Sequence, residues 1–364
     1  RPVASATVDP FYDPSRSYDD NDADGPFGAF AAPPTAPADG DRSAPRHRFL
    51  GLPVREPFGI PAGPLVNARF CAAAFAHGFD LCVYKTVRTR AHPAHPLPNI
   101  VPVHVDGDLT LEAARHPVRA GGAFAHPLSI SNSFGVPSRD PDRWQPDMAA
   151  AVRAAGPGQV LIGAFQATRG AGDLVADHVR AARLVAETGA PVLELNLSCP
   201  NEGASDLLCF DAELVRRIVF AITDAVDLPL LIKIAHFAED AALRRLVAMT
   251  GRLVAGYAAI NTIPATLVDD AGRPALPGRT TSGVCGAGIR WAGLDMTRRL
   301  TRLRDELSLD YAIVGVGGVA SADDYRAYRD AGADAVMSAT GAMWNPGLAA
   351  EVRAGAAGSA GSAG

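Results

Sequence analysis

Short apolar runs alternate with amphipathic stretches along most of the chain. Eight runs read as strands, at 58–62, 81–86, 160–165, 192–197, 230–234, 258–262, 312–315 and 335–340. They are short and nearly all apolar, the pattern of parallel strands buried on both faces. Between them, residues 173–187 set Leu174, Val175, His178, Ala181, Ala182 and Val185 on one helical stripe. Residues 212–226, 240–251, 294–307 and 323–331 behave alike, and Ser321 followed by Asp324 is a capping-box-like start. Eight strands with helical crossovers over roughly 300 residues predict a (β/α)8 barrel rather than an open doubly wound sheet. Two connections, 86–159 and 263–293, exceed ordinary loops and are candidate lids or binding elements.

Composition changes this picture at the ends. Residues 1–45 hold eight prolines and eight aspartates with few aliphatics, which predicts a disordered or loosely docked tail. Residues 355–364 are Gly, Ala and Ser only and read as a flexible tail, leaving 46–354 for the barrel. The net charge of −5 argues against a nucleic-acid binder. The chain shows no apolar run of the ~20 residues that a membrane span needs. Five cysteines without a CxxC pair argue against a disulfide framework or a zinc site and point to free thiols in a reducing, cytoplasmic compartment.

Of 34 cationic side chains, only Lys85 and Lys233 are lysines. Arginine therefore serves wherever a generic cation is enough, and the two lysines mark places where a compact, tunable ammonium is wanted. Both fall at the ends of expected strands, as do Asn196 and Asn261, with Asn132 and Asn201 in adjacent loops. In a barrel of this kind, chemistry sits at the C-terminal ends of the strands. Amide side chains donate and accept in one plane, which suits a planar imide or amide ring.

The segment 195–201, Leu-Asn-Leu-Ser-Cys-Pro-Asn, places Cys199 just past a strand end on a turn stiffened by Pro200. A nucleophilic cysteine needs an activating histidine. His236 lies past another strand, so proton transfer is the better reading of the thiol. Cys71 and Cys82 fit apolar faces, while Cys209 is a candidate lid residue and Cys285 lies in a Gly-rich stretch. Gly315-Val316-Gly317-Gly318 and Thr340-Gly341 end the last two strands, where barrels commonly bind phosphate.

These residues carry a resemblance. The chain from about Leu50 to Ala350 resembles the dihydroorotate dehydrogenase family, in particular its soluble, cysteine-base class 1. The resemblance rests on 84–86 (Tyr-Lys-Thr), 131–137 (Ser-Asn-Ser-Phe-Gly-Val-Pro), 196–201, Lys233, Asn261-Thr262, 282–286, and 315–318 with Thr340. It implies a barrel that binds flavin mononucleotide (FMN) and oxidises dihydroorotate to orotate in pyrimidine biosynthesis. Cys199 would take the C5 proton and hydride would pass from C6 to flavin N5. Lys85 and the backbone of Phe134, Gly135 and Val136 would hold the substrate carboxylate. Asn132, Asn196, Asn201, Asn261 and Thr262 would bond the pyrimidine. Lys233 would sit near flavin N1 and O2 and stabilise negative charge there, ordinary electrostatic catalysis by a buried cation. Ala62 and Gly63 would lie against the flavin ring, and Lys85, Thr86, Asn132, Asn196 and Asn261 would also contact the cofactor. Gly283, Gly286, Gly317, Gly318 and Thr340 would contact its ribityl and phosphate parts.

The resemblance also implies a homodimer and allows an electron-transfer partner subunit, with fumarate, NAD through that partner, or a quinone as acceptor. The chain departs from the family pattern at Arg290-Trp291 (usually Lys-Pro), at Ala339 (usually Gly) and at Asn99 (often Arg). Arg279-Thr280-Thr281 also resembles the flavin domain of dihydropyrimidine dehydrogenases, which tend to carry His where this chain has Asn201. The alternative is therefore the same fold and flavin acting on another dihydropyrimidine or activated double bond. A flavin-free Schiff-base aldolase using either lysine, and a non-catalytic binding barrel, are the readings from other classes.

Overall fold

The structure, a computed structural model, describes residues 9–32, 34, 44–170, 172–198 and 207–360. In chain order it begins with α1 (Tyr18–Asp24), β1 (His47–Phe49), β2 (Leu52–Val54), β3 (Phe58–Ile60), α2 (Ala68–Ala76) and β4 (Leu81–Val87). There follow β5 (Ile100–Pro102), β6 (Val118–Arg119), β7 (Ser129–Asn132), α3 (Pro141–Ala154), β8 (Val160–Phe165), α4 (Leu174–Ala186) and β9 (Val192–Asn196). Then come α5 (Ala212–Ala225), β10 (Leu230–Ile234), α6 (Asp240–Thr250), β11 (Gly256–Ala259), β12 (Ile263–Val268) and β13 (Thr281–Gly286). The chain closes with α7 (Arg290–Glu306), β14 (Ala312–Val316), α8 (Ala322–Asp330), β15 (Ala335–Met337), α9 (Thr340–Trp344) and α10 (Leu348–Ala360).

Strands β3, β4, β8, β9, β10, β11, β14 and β15 pair in parallel and in that order close into a barrel. All eight expected strands are thus barrel strands. The expected first, fourth, sixth and eighth strands run past the observed ends: Ala62 follows β3, Leu197 follows β9, Asn261 and Thr262 follow β11, and Thr340 starts α9. The apolar runs arise because side chains alternate between two dry environments. Leu81, Val83, Val160, Ile162, Val192, Leu231, Val314 and Met337 form the barrel interior. Cys82, Leu161, Leu193, Ile232 and Ile313 point instead to the helical layer. The hairpin β1–β2 plugs the end at which the strands begin, with Phe49 and Val54 packed into the interior cluster.

The helices follow their stripes. On α5, Val215, Ile218, Val219 and Ile222 are fully buried, and Ser321 caps α8 by accepting from the Asp324 amide at 3.1 Å. Helices α2 and α3 were not expected. Alanine dilutes the stripe of the first, and the second carries Pro141 and Pro146. The two long connections fold into one sheet of order β5-β7-β13-β12-β6. Trp291 ties the first of them down, its Nε1 donating to the Leu109 carbonyl at 2.9 Å.

Part of the expected N-terminal tail is packed rather than loose. Phe11, Tyr12, Tyr18 and Phe30 are buried in the main core. The Phe11 and Phe30 rings lie 4.4 Å apart, and Arg139 pairs with Asp19 and Asp22 at 2.8 Å each. A few aromatics, each burying roughly 150–250 Å², outweigh the proline and aspartate around them. The C-terminal expectation also differs, since the helix α10 runs to Ala360. Among the described residues, no helix is long and apolar enough to cross a membrane.

Candidate active site

The strand ends present charge and amide groups where the apolar interior stops. Lys85 of β4 and Lys233 of β10 are buried, as is Asn196, which faces Lys233 across the β9–β10 ladder. Asn196 Nδ2 donates to Gln166 Oε1 at 2.6 Å. Gln166 stands immediately after β8, so it obeys the same strand-end rule as the other polar groups, yet the sequence reading passed over it. Asn261, just past β11, donates to the Ser198 carbonyl and hydroxyl at 3.1 and 3.2 Å, tying the sixth strand end to the loop that follows β9. Cys199 and Asn201 lie outside the described residues.

The turn 133–137 is held from several sides. Gly135 (φ +80°) and Val136 (φ +50°) both occupy the left-handed region, which glycine adopts freely and valine does not. Such a conformation persists only where surrounding bonds fix it. Arg88 Nε donates to the Val136 carbonyl at 2.9 Å, and the His95 amide donates to the Phe134 carbonyl at 2.9 Å. Arg279 Nη1 reaches the Ser133 carbonyl and hydroxyl at 3.0 and 3.1 Å, and its Nη2 reaches the carbonyls of Pro96 and Pro98 at 2.8 and 3.2 Å. Asn99 exchanges bonds with Ser133, accepting its amide at 2.7 Å and donating to its carbonyl at 3.1 Å. The Phe134 ring turns toward the N-terminal segment, 5.1 Å from Tyr12 and 5.7 Å from Tyr18. Lys85 Nζ lies 6.0 Å from the centre of the Tyr18 ring.

Three cavities open around this region. One of about 530 Å³ is lined by Asn261, Gly286, Gly317, Gly318, Ala339 and Thr340. A second, of about 990 Å³, is lined by Gly135 and Thr262 together with Ser133, Ala235, His236 and Arg279. A third, of about 780 Å³, takes in Lys85 and Thr86 beside α1. Asn132 ends β7, and a side chain at Gly63 (φ +128°) would come within 3.9 Å of its Nδ2. Ala62 packs against the barrel interior. Gly283 does not line the first cavity: a methyl there would fall 2.1 Å from Thr262 Oγ1, so its bareness lets Thr262 pack flat against β13.

The first cavity fits the phosphate end of a flavin nucleotide. Gly286, Gly317 and Gly318 all have positive φ, so backbone rather than side chain faces the space. Thr340 Oγ1, and Thr262 Oγ1 on the neighbouring cavity, are buried without a hydrogen-bond partner. Ala339 has φ −94°, a conformation open to any residue, so the glycine usual in the family is not required for this backbone. Arg290, at the other departure, pairs with Asp324 of α8.

Burial lowers the Lys233 ammonium below the ordinary lysine range, and the Glu194 carboxylate opposes that shift. Burial raises the Glu194 carboxyl in turn. Cys209, expected as a lid residue, is fully buried, and burial pushes its thiol up to about 12. Cys285 is buried too, its thiol raised to about 11. His236 bonds Asp295 through Nε2 at 2.9 Å, and burial lowers its proton affinity.

A family model described as Dihydroorotate dehydrogenase matches residues 122–354. The dihydroorotate dehydrogenase of Dictyostelium discoideum is 32% identical over 93% of this chain and 95% of that protein. The dihydroorotate dehydrogenase (quinone) of Clavibacter sepedonicus is 32% identical over 82% and 83%. The dihydroorotate dehydrogenase B (NAD(+)) catalytic subunit of Thermodesulfovibrio yellowstonii is 30% identical over 48% of this chain and 56% of that protein. The crystal structure of the Eimeria tenella enzyme in complex with ferulenol shares the fold, with a TM-score of 0.71, 19% identity, and coverage of 90% of this chain and 88% of that one. The chain belongs to the dihydroorotate dehydrogenase family of flavin oxidoreductases.

Proposed function

We propose that this barrel oxidises dihydroorotate to orotate on bound FMN, with Cys199 as the base, as in class 1 of the family. When bound, FMN supplies the ring that accepts the hydride. Cys199 removes the C5 proton. Lys85 and the backbone of 134–136 hold the carboxylate, and Asn132, Asn196, Asn201, Asn261 and Thr262 orient the pyrimidine. Lys233 stabilises negative charge beside the flavin. The observation that carries this reading is that both lysines of the chain, Asn196 and Gln166 stand at or near the C-terminal ends of barrel strands, where Asn196 faces Lys233 across the ladder and bonds Gln166. The sequence Ser198-Cys199-Pro200 supports the choice of base, and Asn261 tethers Ser198 at the edge of the site. Quinone and NAD forms both occur among the relatives, and a homodimer, with or without an electron-transfer subunit, is the assembly we propose.

Arg279 at the wall of the second cavity keeps a related dihydropyrimidine as the second reading. The test is the visible spectrum of the purified protein under anaerobic conditions. Dihydroorotate should bleach the flavin band, and dihydrouracil should not. Bleaching by dihydrouracil alone would give the second reading the site. Cys199→Ser should retain flavin and lose most turnover near neutral pH, and an unchanged rate removes Cys199 as base.

A further inference from the structure

The inward face of the barrel holds one carboxylate that the reaction above does not use. Strand alternation puts Val192, Glu194 and Asn196 of β9 on that face, with Leu231 and Lys233 of β10 and Leu81, Val83 and Lys85 of β4. The other inward positions are apolar: Val160, Ile162 and Ala164 of β8, Ala258 of β11, Val314 and Val316 of β14, and Ala335 and Met337 of β15. Among the described strand residues, the ionisable inward side chains are therefore Lys85, Glu194 and Lys233. Glu194 pairs with Leu231 across the ladder, and Lys233 stands two residues nearer the mouth. Their backbones are separated by about 5 Å across the strands and about 7 Å along them.

Glu194 is 1% exposed and neither carboxylate oxygen has a hydrogen-bond partner. Such a group does not serve stability, because a bare buried carboxyl costs more than the valine that would fill the same space. What it offers is charge at a fixed place. We propose that Glu194 is a positioning residue that holds Lys233 in its charged form, the carboxylate and the ammonium occupying successive inward layers of neighbouring strands. Burial works against an ammonium at Lys233 and against a carboxylate at Glu194, and each charge opposes that loss in the other. Lys85, two strands from β9, is the other ionisable group on that face and has the same sign as Lys233. The proposal rests on the reading that Lys233 serves the flavin: a neutral amine there would leave negative charge on the cofactor uncompensated.

The lysine count makes the test direct. Protein labelled with 13Cε-lysine gives two side-chain signals, for Lys85 and Lys233, assigned by Lys233→Arg. Both are titrated in the flavin-loaded wild type and in Glu194→Gln. The Lys233 midpoint should fall by about one pH unit or more, a tenfold loss of proton affinity, with Lys85 moving much less. Glu194→Asp, which keeps the charge, should stay within about half a unit of wild type. The alkaline limb of kcat should move to lower pH with the Lys233 signal. A Lys233 midpoint that stays in place in Glu194→Gln, or that falls as far in Glu194→Asp, overturns the proposal. Should Glu194→Gln fail to fold, the Glu194→Asp comparison and the carboxyl stretch of Glu194 in Lys233→Met decide. That stretch should switch to the protonated band in Lys233→Met, and an unchanged carboxylate band counts against the pair. Protein purified without flavin would instead count against the function proposed above, and the titration would still be read.

Discussion

Replacing Arg279 with methionine removes a cationic fork and keeps an apolar stem of similar reach. In the native fold, two of its four bonds to carbonyl and hydroxyl oxygens of 96–98 and 133 end on Ser133, which leads into the strained turn at Gly135 and Val136. A buried hydrogen bond from a charged donor is worth about 1.5–3 kcal/mol. Arg279 is only partly buried, so water can replace part of each bond, and roughly 0.5–1 kcal/mol per bond is the better figure. The two bonds to Ser133 then hold the turn by about 1–2 kcal/mol, a factor of roughly 5–30 in its occupancy of the native conformation. The turn is proposed to bind the substrate carboxylate, whose charge does not change between ground state and transition state. KM for dihydroorotate should therefore rise about tenfold with kcat within about twofold, since uniform binding is what is lost. Steady-state kinetics at constant flavin content measures it. Arg279→Lys should recover little, because an ammonium cannot span both oxygens and the Pro96 and Pro98 carbonyls at once. An unchanged KM, or a KM rise matched by an equal fall in flavin content, refutes the reasoning.

Other perturbations probe the same surroundings. Gly135→Ala should cost about 1–2 kcal/mol in the turn, because the backbone is left-handed and the new methyl would meet the His95 ring at 2.7 Å; a raised KM with normal flavin loading is the expected readout. Phe11→Ala removes a buried ring packed on Phe30 and Phe70, a change that typically costs about 3–5 kcal/mol. It should release the N-terminal segment before the barrel unfolds, seen as faster proteolysis near α1 at nearly unchanged global Tm. Acid should destabilise the fold through its imidazoles: burial depresses the proton affinity of both His95 and His236, so the unfolded chain takes up those protons first. Stability from these groups is full above the ordinary histidine range and is lost as pH falls through it, and urea melts at about pH 7.5 and 5.5 should show the drop. Arg279→Met should also raise the His95 titration midpoint by removing a neighbouring cation, which ring-proton NMR reads.

The barrel was legible because buried parallel strands write themselves as apolar runs, and each of the eight runs is a barrel strand. Lysine scarcity pointed at Lys85 and Lys233 for a related reason: in an arginine-rich chain, a surviving ammonium is informative. What stayed hidden depended on which face or which partner a residue finds. Val192-Leu193-Glu194-Leu195-Asn196 reads as one apolar run, but period-two alternation already places Glu194 on the same face as Asn196, and only the closed barrel shows that face to be the interior. Gln166 directly follows β8 and obeys the strand-end rule too, but its amide becomes telling only through its bond to Asn196, 30 residues away along the chain. The N-terminal segment misled in the opposite sense. Its aspartates and prolines describe average solvation, whereas Phe11, Tyr12, Tyr18 and Phe30 decide its fate by long-range contact with Phe70 and Phe134. The turn at 133–137 belongs with these: Arg88, His95, Asn99 and Arg279 are 34 or more residues away along the chain from the groups they hold, so no local pattern announces them. Local periodicity specifies the scaffold, and the precision of the mouth comes from partners that only closure of the barrel brings together.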